Sequence, residues 1–275
     1  MTIGLTGARG VLGRRLVEVL DARGTRVAPF DGDVRDAAAL AEWATGCERI
    51  VHAAAIVPTI QVKEGTGTAI AVNVAGTANV AAAAATAGVP LTYISTSHVY
   101  ASSDGALPED APVRPVSLYG LTKWQGEQWV NQLAPAPLVV RLFSYFDSRQ
   151  AASFLVPALY RRVREAPKGA ELPLYGYGSI RDMADARWLS ERLADLIQSG
   201  ASGTLNLGTG VGTSIATVAA RLALAVGRDD ISWTPADDHP GDTLVADVTA
   251  VSRAVEMPAF DLDAAFRAFV ADSAS

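Results

Sequence analysis

The chain has 275 residues, of which 49% are hydrophobic and 19% charged, enough for one large domain or one domain with a small lobe. A net charge of −6 without a local basic patch argues against a nucleic-acid-binding surface, and Arg161, Arg162 and Arg164, the densest basic cluster, read as the solvated face of a helix. The single cysteine, Cys47, excludes an internal disulfide and a cysteine metal cluster, and no metal site is expected. The N-terminus reads as entering a strand directly, so no signal peptide is expected. The Ala-rich run from Val80 to Val89 is too short and too weakly hydrophobic to span a bilayer. These features predict a soluble protein of the reducing cytoplasm, with no membrane partner.

In chain order, Met1 to Thr6 reads as a short buried strand and Arg14 to Arg23 as a helix. Between them stands Gly7-Ala8-Arg9-Gly10-Val11-Leu12-Gly13. Glycines at this spacing between strand and helix permit a tight turn, close approach of a pyrophosphate and close helix–sheet packing, with the phosphates on the helix N-terminus. The alternative is a Gly-rich turn without a ligand. A second strand, Thr25 to Phe30, is closed by Asp31, 24 residues after Gly7, close to the spacing of an acid that binds the adenosine ribose hydroxyls. A carboxylate there repels a 2′-phosphate and favours NAD. Arg9, within reach of such a phosphate, keeps NADP open. Asp33 is a candidate for the adenine edge and Asp36 for a helix N-cap.

Ile50 to Ala55 forms a third strand, whose small residues Ala53, Ala54 and Ala55 let backbone approach a cofactor; His52 within it reads as a hydrogen-bonded core histidine. Ile56 to Gly67 reads as a loop and Ala69 to Gly88 as a long helix, in which Asn73 and Gly76 serve packing and backbone satisfaction. Leu91 to Ile94 is a buried strand running into Ser95-Thr96-Ser97-His98. Hydroxyls at the carboxyl end of a central parallel strand point into the ligand crevice, so Thr96 is placed to bond a reacting oxygen. A Pro-rich polar loop leads to Ser117-Leu118-Tyr119-Gly120-Leu121-Thr122-Lys123. On a helix, Tyr119 and Lys123 share a face. A free phenol, with a pKa near ~10, is too weak an acid for neutral pH, but an adjacent ammonium and a cationic nicotinamide favour the phenolate. Alone, this spacing also suits a plain surface helix.

Leu138 to Phe143 is a further strand. Beyond it come a helix near Ser153 to Glu165, a short strand at Glu171 to Tyr175, the segment Gly176 to Asp182, a helix from Trp188 to Gln198, Thr204 to Gly210, and a helix from Ser214 to Val226. The alternation predicts an α/β, Rossmann-type doubly wound parallel sheet with a small C-terminal substrate-binding lobe. Residues 1–143 form the dinucleotide-binding core and 144–275 mainly the lobe, with core elements interleaved at about 184–232.

Taken together, these motifs resemble the extended short-chain dehydrogenase/reductase family of nucleotide-sugar epimerases, dehydratases and ketoreductases, from Gly7 to about Asp247. The matching residues are Thr6 to Gly13, His52 to Ala55, Asn73 to Thr77, Thr96, Tyr119 to Lys123, Arg141 to Ser144, Gly176 to Asp182, Asn206 to Gly208 and His239 to Asp242. The resemblance implies Tyr119 as proton donor or acceptor, Lys123 as the group that lowers its pKa and holds the nicotinamide ribose, and Thr96 as the partner of the reacting oxygen. It places NAD, or NADP, against Gly7, Gly10, Val11, Leu12 and Gly13, against Asp31, Asp33 and Val34, and against Ala53 to Ala55 and Phe143. Substrate contacts fall on Ser97, His98, Ser144, Arg181 (gripping a diphosphate) and His239.

Ser97-His98 stands where dehydratases of the family carry Asp-Glu, which weakens a dehydratase reading. The implied function is an NAD(P)-dependent epimerase or 4-ketoreductase acting on a nucleotide sugar, in a possible homodimer. Ser97-His98-Val99, Arg114-Pro115 and Ser144 also resemble short uronate dehydrogenases, so an NAD-dependent dehydrogenase of a free sugar or sugar acid is the alternative, with His98 on a carboxylate. A non-catalytic dinucleotide-binding protein is a third reading, opposed by Thr96, Tyr119 and Lys123.

Overall fold

The computed structural model describes residues 1–56, 65–238 and 241–274. Strands β1 (Thr2–Thr6), β2 (Arg26–Phe30), β3 (Arg49–His52), β4 (Leu91–Thr96), β5 (Leu138–Leu142) and β9 (Gly203–Leu207) form one parallel sheet in the order β2-β1-β3-β4-β5-β9. β4 and β5 are buried along their whole length, as expected of parallel strands covered on both faces. Helices α1 (Val11–Ala22) and α6 (Ala186–Ser199) pack together on one face, over a core that includes Leu5, Leu16, Leu20 and Leu193. The other face carries α2 (Ala37–Ala44), α3 (Thr66–Ala87) and α4 (Leu118–Leu133), over Leu40, Ile50, Val80 and Tyr93. This is the doubly wound α/β arrangement. The chain reverses winding direction between β1 and β3, and such a switch point opens a crevice at the carboxyl ends of the strands.

Helix starts follow local chemistry. Asp36, Ser117, Asp185 and Ser214 each accept a backbone N–H from the first turn of the helix that follows. Helix α3 extends well beyond the Ala-rich run, to 22 residues, and by length and composition it is apolar enough to cross a membrane. In the fold it is a layer of the sandwich, burying Asn73, Thr77, Val80, Ala81 and Ala84. Its middle, Ala71–Gly76, widens into a π-helical turn, a feature that recurs at functional sites.

The C-terminal lobe contains elements without a clear periodic signal: β6 (Ser144–Phe146), β8 (Ile180–Asp185), β10 (Gly212–Ser214) and β12 (Thr243–Leu244) in one sheet, and β7 (Glu171–Leu174) paired with β11 (Ser232–Pro235). Helices α5 (Leu155–Glu165), α7 (Ile215–Val226) and α9 (Leu262–Ala274) close it, and the short α8 (Thr249–Ala254) returns beside β9. Its core joins Phe146, Leu159, Val218, Leu222, Phe266 and Phe269. Helix α7, grouped by sequence with the dinucleotide core, therefore packs in this lobe; the part of 184–232 that returns to the central sheet is α6 and β9. Arg15 of α1 joins the two halves through a buried ion pair to Asp147, Nε to Oδ2 2.6 Å.

Asp182 is the lobe's polar anchor. Fully buried, it accepts the Thr209 N–H and hydroxyl at 2.7 Å each, the Gly210 N–H at 2.8 Å and the Ala246 N–H at 3.2 Å. One side chain thus ties β8 to the segments following β9 and β12. Removing it leaves several buried donors unpaired, each costing roughly 1–3 kcal/mol. Asp182→Ala is expected to lower unfolding stability by about 3 kcal/mol or more, read as a lower urea midpoint; an unchanged midpoint would remove this role.

Candidate active site

A cavity of about 520 Å³ lies along the switch point and reaches the C-terminal lobe. Its volume falls in the roughly 300–1,000 Å³ range of small-molecule sites. At one end it is walled by Gly7, Gly10, Val11, Leu12, Gly13, Ala53 and Ala55, and in the middle by Thr96, Tyr119, Lys123 and Phe143. At the far end stand Ser97, His98, Ser144 and Arg181. Most residues singled out by sequence therefore meet in one cavity. Asp31, Asp33, Val34 and Ala54 do not line it. Asp31 and Asp33 are exposed beyond the end of β2, Val34 is buried against Gly76, and Ala54 lies behind the wall, its N–H directed at Thr6 Oγ1. His239 and residues 57–64 of the expected loop lie outside the described residues.

The cavity's first end fits a dinucleotide. Gly7 has φ of +75°, and a Cβ there would lie 2.6 Å from the Ala54 nitrogen, so only glycine allows β1 and β3 to close up at the crevice. Helix α1 begins with Val11 and has no side-chain cap at Gly10, and its first residues line the cavity, the position where phosphates bind in such folds. The β3 side of the wall is held by a directional chain of hydrogen bonds. Thr77 Oγ1 donates to the Asn73 carbonyl (2.7 Å) and so accepts from His52 Nε2 (2.9 Å); Nδ1 then accepts from Thr6 Oγ1 (2.6 Å), which accepts the Ala54 N–H (3.3 Å). The ring is thereby fixed as a neutral tautomer, and burial, reinforced by the Lys123 charge, pushes its pKa down to about 3. His52 is the core histidine expected. Asn73, in the π-helical turn, brackets Ile56 through both backbone groups and reaches Thr122 Oγ1 on α4 (2.7, 3.0 and 3.1 Å).

The middle of the cavity is set by α4. The Ser117 hydroxyl accepts the Gly120 N–H, 3.1 Å, which starts the helix so that Tyr119 and Lys123 stand one turn apart. Gly120 lets the helix lie flush on the 3₁₀ turn Ser97–Val99, since a Cβ there would lie 2.0 Å from the His98 carbonyl oxygen. Thr96 is buried, with its hydroxyl close enough to ease ionisation of Tyr119. Lys123 is only 2% exposed, and its Nζ sits 4.1 Å from the Tyr93 ring centroid, a cation–π contact. Burial dominates both groups. It raises the Tyr119 phenol well above its ordinary range, reinforced by neighbouring Tyr145, and it lowers Lys123 to about 7 against the opposing pull of Glu127. The influence expected of Lys123 on the phenol is therefore outweighed by burial among the protein groups alone.

At the far end, Arg181 Nη2 donates to both carboxylate oxygens of Asp242 (2.7 and 2.9 Å), and Ser179 Oγ donates to the same carboxylate. Burial and the Arg181 charge lower the His98 pKa against Asp242, so His98 faces the cavity as a neutral hydrogen-bonding ring, 6.1 Å from Tyr119 in an edge contact. That electrostatic state suits a hydroxyl better than a carboxylate. Sequence reasoning missed Tyr145, Gln150 and Tyr175 in the wall. Tyr145 alternates with core-facing Phe146 on three-residue β6, too short for a period to show, and Tyr175, 72% exposed, precedes Gly176 in an already noted motif.

A buried lysine with a lowered pKa carries a stability cost with a defined sign. Between the folded value of about 7 and the unfolded value near ~10.4, the unfolded state binds more protons, so folding stability rises with pH across that window. Lys123→Met is expected to unfold at higher denaturant than the wild type at pH 6, by about 1–3 kcal/mol, with the gap narrowing by pH 10. Chemical denaturation at both pH values checks this; a destabilised variant at pH 6 would contradict it.

The comparisons with known proteins agree with this architecture. Over 156 residues the chain is 30% identical to a dTDP-4-dehydrorhamnose reductase of Mycolicibacterium smegmatis, covering 55% of this chain and 48% of that protein. Over 138 residues it is 35% identical to a dTDP-4-dehydrorhamnose reductase of Streptomyces griseus, covering 48% and 45%. The chain thus spans about half the length of these curated relatives. A solved structure of a dTDP-4-dehydrorhamnose reductase from Clostridium acetobutylicum has the same fold, with a TM-score of 0.86 at 21% identity over 100% of both chains. Residues 1–168, more than half of the chain and including the glycine turn, Thr96, Tyr119 and Lys123, match the family described as RmlD substrate binding domain, and the chain belongs to that family.

Proposed function

We propose that the protein is an NAD(P)-dependent 4-ketoreductase of a nucleotide-activated sugar. The observation that carries this reading is the convergence of Thr96, Tyr119 and a buried Lys123 at the middle of a cavity that runs from a dinucleotide-type glycine turn to Arg181. The names of the relatives support the reaction class. The cofactor supplies hydride chemistry when bound, between C4 of its nicotinamide and the sugar's carbonyl carbon. Gly7, Gly10 and the start of α1 hold its pyrophosphate, and Asp31 favours the ribose hydroxyls of NAD over a 2′-phosphate. Asp33 is committed to Arg35, which donates to its carboxylate through Nε at 2.9 and 3.0 Å, so it serves the adenosine end through that pair.

Thr96 donates a hydrogen bond to the ketone oxygen. Tyr119, a neutral phenol in this setting, gives its proton to that oxygen as negative charge develops, and the Lys123 ammonium supports the phenolate left behind. Ser97, neutral His98 and Ser144 bond sugar hydroxyls. Arg181 exchanges the Asp242 carboxylate for diphosphate oxygens at Nη2. Helix α4 leaves Leu121, Trp129 and Leu133 exposed, and we assign this face to a second copy of the chain; sedimentation as a monomer would remove that assignment. The setting we assign is cytoplasmic.

Tyr119→Phe removes only the proton-bearing oxygen. It is expected to lower turnover of dTDP-4-dehydrorhamnose with NADH or NADPH by about 10²-fold or more, while dinucleotide affinity by calorimetry stays within a few-fold. Full activity in this variant would sink the acid–base assignment. Asp31→Ala is expected to narrow a preference for NADH; a wild type that clearly prefers NADPH would contradict the role of Asp31.

A further inference from the structure

One turn beyond Lys123 on α4 lies Glu127, a carboxylate that the proposed reaction does not use. It is 1% exposed, and three groups converge on it. Arg141 of β5 donates Nε to Oε1 (3.0 Å) and Nη2 to Oε2 (2.7 Å), and Ser95 of β4 donates its hydroxyl to Oε1. Arg141 is anchored in turn: its Nη1 donates to the Tyr100 hydroxyl (2.7 Å) and the Glu109 carbonyl (2.9 Å), and Tyr100 donates to Asn206 Oδ1 (2.9 Å). Such a network costs desolvation of two charges and is not needed to fill a core, where apolar side chains of equal volume serve as well or better. Its placement directly beneath the Tyr119–Lys123 pair is what requires explanation.

The titratable and charged groups facing Lys123 are Tyr119 and Glu127 from α4, the Tyr93 ring from β4 and His52 from β3; Arg141 faces Glu127 from β5. Among them, in the described residues, Glu127 supplies the carboxylate. Tyr93 offers only a ring face, and His52 is locked neutral by Thr6 and Thr77. On a helix, residues four apart are neighbours, about 5–6 Å between Cβ atoms. An ammonium buried one helical turn from a fixed carboxylate keeps its proton to higher pH than one buried alone. We infer that Glu127 is a positioning residue of this site: held rigid by Arg141 and Ser95, it supplies the negative charge that keeps Lys123 cationic beneath Tyr119. The inference rests on the proposed roles of Tyr119 and Lys123 for its meaning in catalysis, but the coupling itself does not require turnover.

The chain has only three lysines, Lys63, Lys123 and Lys168, which makes the charge directly observable. In protein labelled with lysine carrying ¹³C at Cε, three signals titrate, and Lys123→Met assigns one of them. Glu127→Gln is expected to lower the Lys123 midpoint by about one pH unit or more, leaving about tenfold less ammonium at any pH above both midpoints. Glu127→Asp, which keeps the charge, restores most of the shift, and Lys168 stays unchanged as the control. If Glu127→Gln fails to fold because Arg141 is left unpaired, the charge-balanced Glu127→Gln/Arg141→Met protein carries the same measurement, with a smaller downward shift expected because the more distant Arg141 cation, which repels Lys123, is removed as well. A Lys123 midpoint that does not fall in whichever of these variants is folded overturns the inference. An active Tyr119→Phe enzyme would instead overturn the reaction proposed for the site while leaving this titration result standing.

Discussion

The constraint on which the rest of the site depends is the burial of a lysine ammonium. A charge removed from water must be offset locally or lose its proton. Lys123 meets this demand with the face of Tyr93 and the carboxylate of Glu127, and each solution creates a further demand. Glu127 is itself buried and takes Arg141; Arg141 takes Tyr100 and the Glu109 carbonyl; Tyr100 takes Asn206, whose Nδ2 donates to the Leu107 carbonyl at 2.8 Å. The compensation spreads from α4 through β4 and β5 to β9 and the Pro-rich loop. That loop, featureless by pattern, therefore participates in the polar core.

A second polar chain runs the other way, from the Asn73 carbonyl through Thr77, His52 and Thr6 to the backbone of Ala54. It fixes the crevice where β1 and β3 part, while the side chain of Asn73 ties α3 to α4 through Thr122. One chain acts on Lys123 through Glu127 and the other contains His52, on which the Lys123 charge acts; they hold the glycine turn that suits a dinucleotide and the α4 start that presents Tyr119. Hydrogen bonds of this kind contribute about 1 kcal/mol each to stability, but leaving a buried member unpaired costs more, so their main effect is to select one geometry.

Much of the dinucleotide half was legible in the sequence because its signals are local. Gly7 to Gly13, the alternation of strands and helices, the cap at Ser117 and the four-residue spacing of Tyr119 and Lys123 each act within a turn or two of chain. The C-terminal lobe was harder to read. β6, β10 and β12 span three, three and two residues, too few for a period of two to show. The pairs that shape the far end of the cavity join distant residues, Arg181 with Asp242 and Arg15 with Asp147. The Glu127–Arg141 pair was missed for the same reason: each residue lies in an element that was correctly recognised, but their meeting depends on how α4 lies against β5. Arg181 and His98, both singled out by sequence, line the cavity. The lowered pKa of His98 was not foreseeable, because it depends on the ring's burial and on the Arg181 charge reaching the same point.

The account stands or falls on hydride delivery within this cavity. The most direct measurement is a turnover of dTDP-4-dehydrorhamnose with NADH or NADPH carrying deuterium at both C4 positions of the nicotinamide, followed by analysis of the sugar product. Transfer of one deuterium per product molecule to sugar C4 is the predicted result. Cofactor and sugar recovered unchanged, or a reduced sugar without the label, would contradict the assignment of the site as a ketoreductase centre.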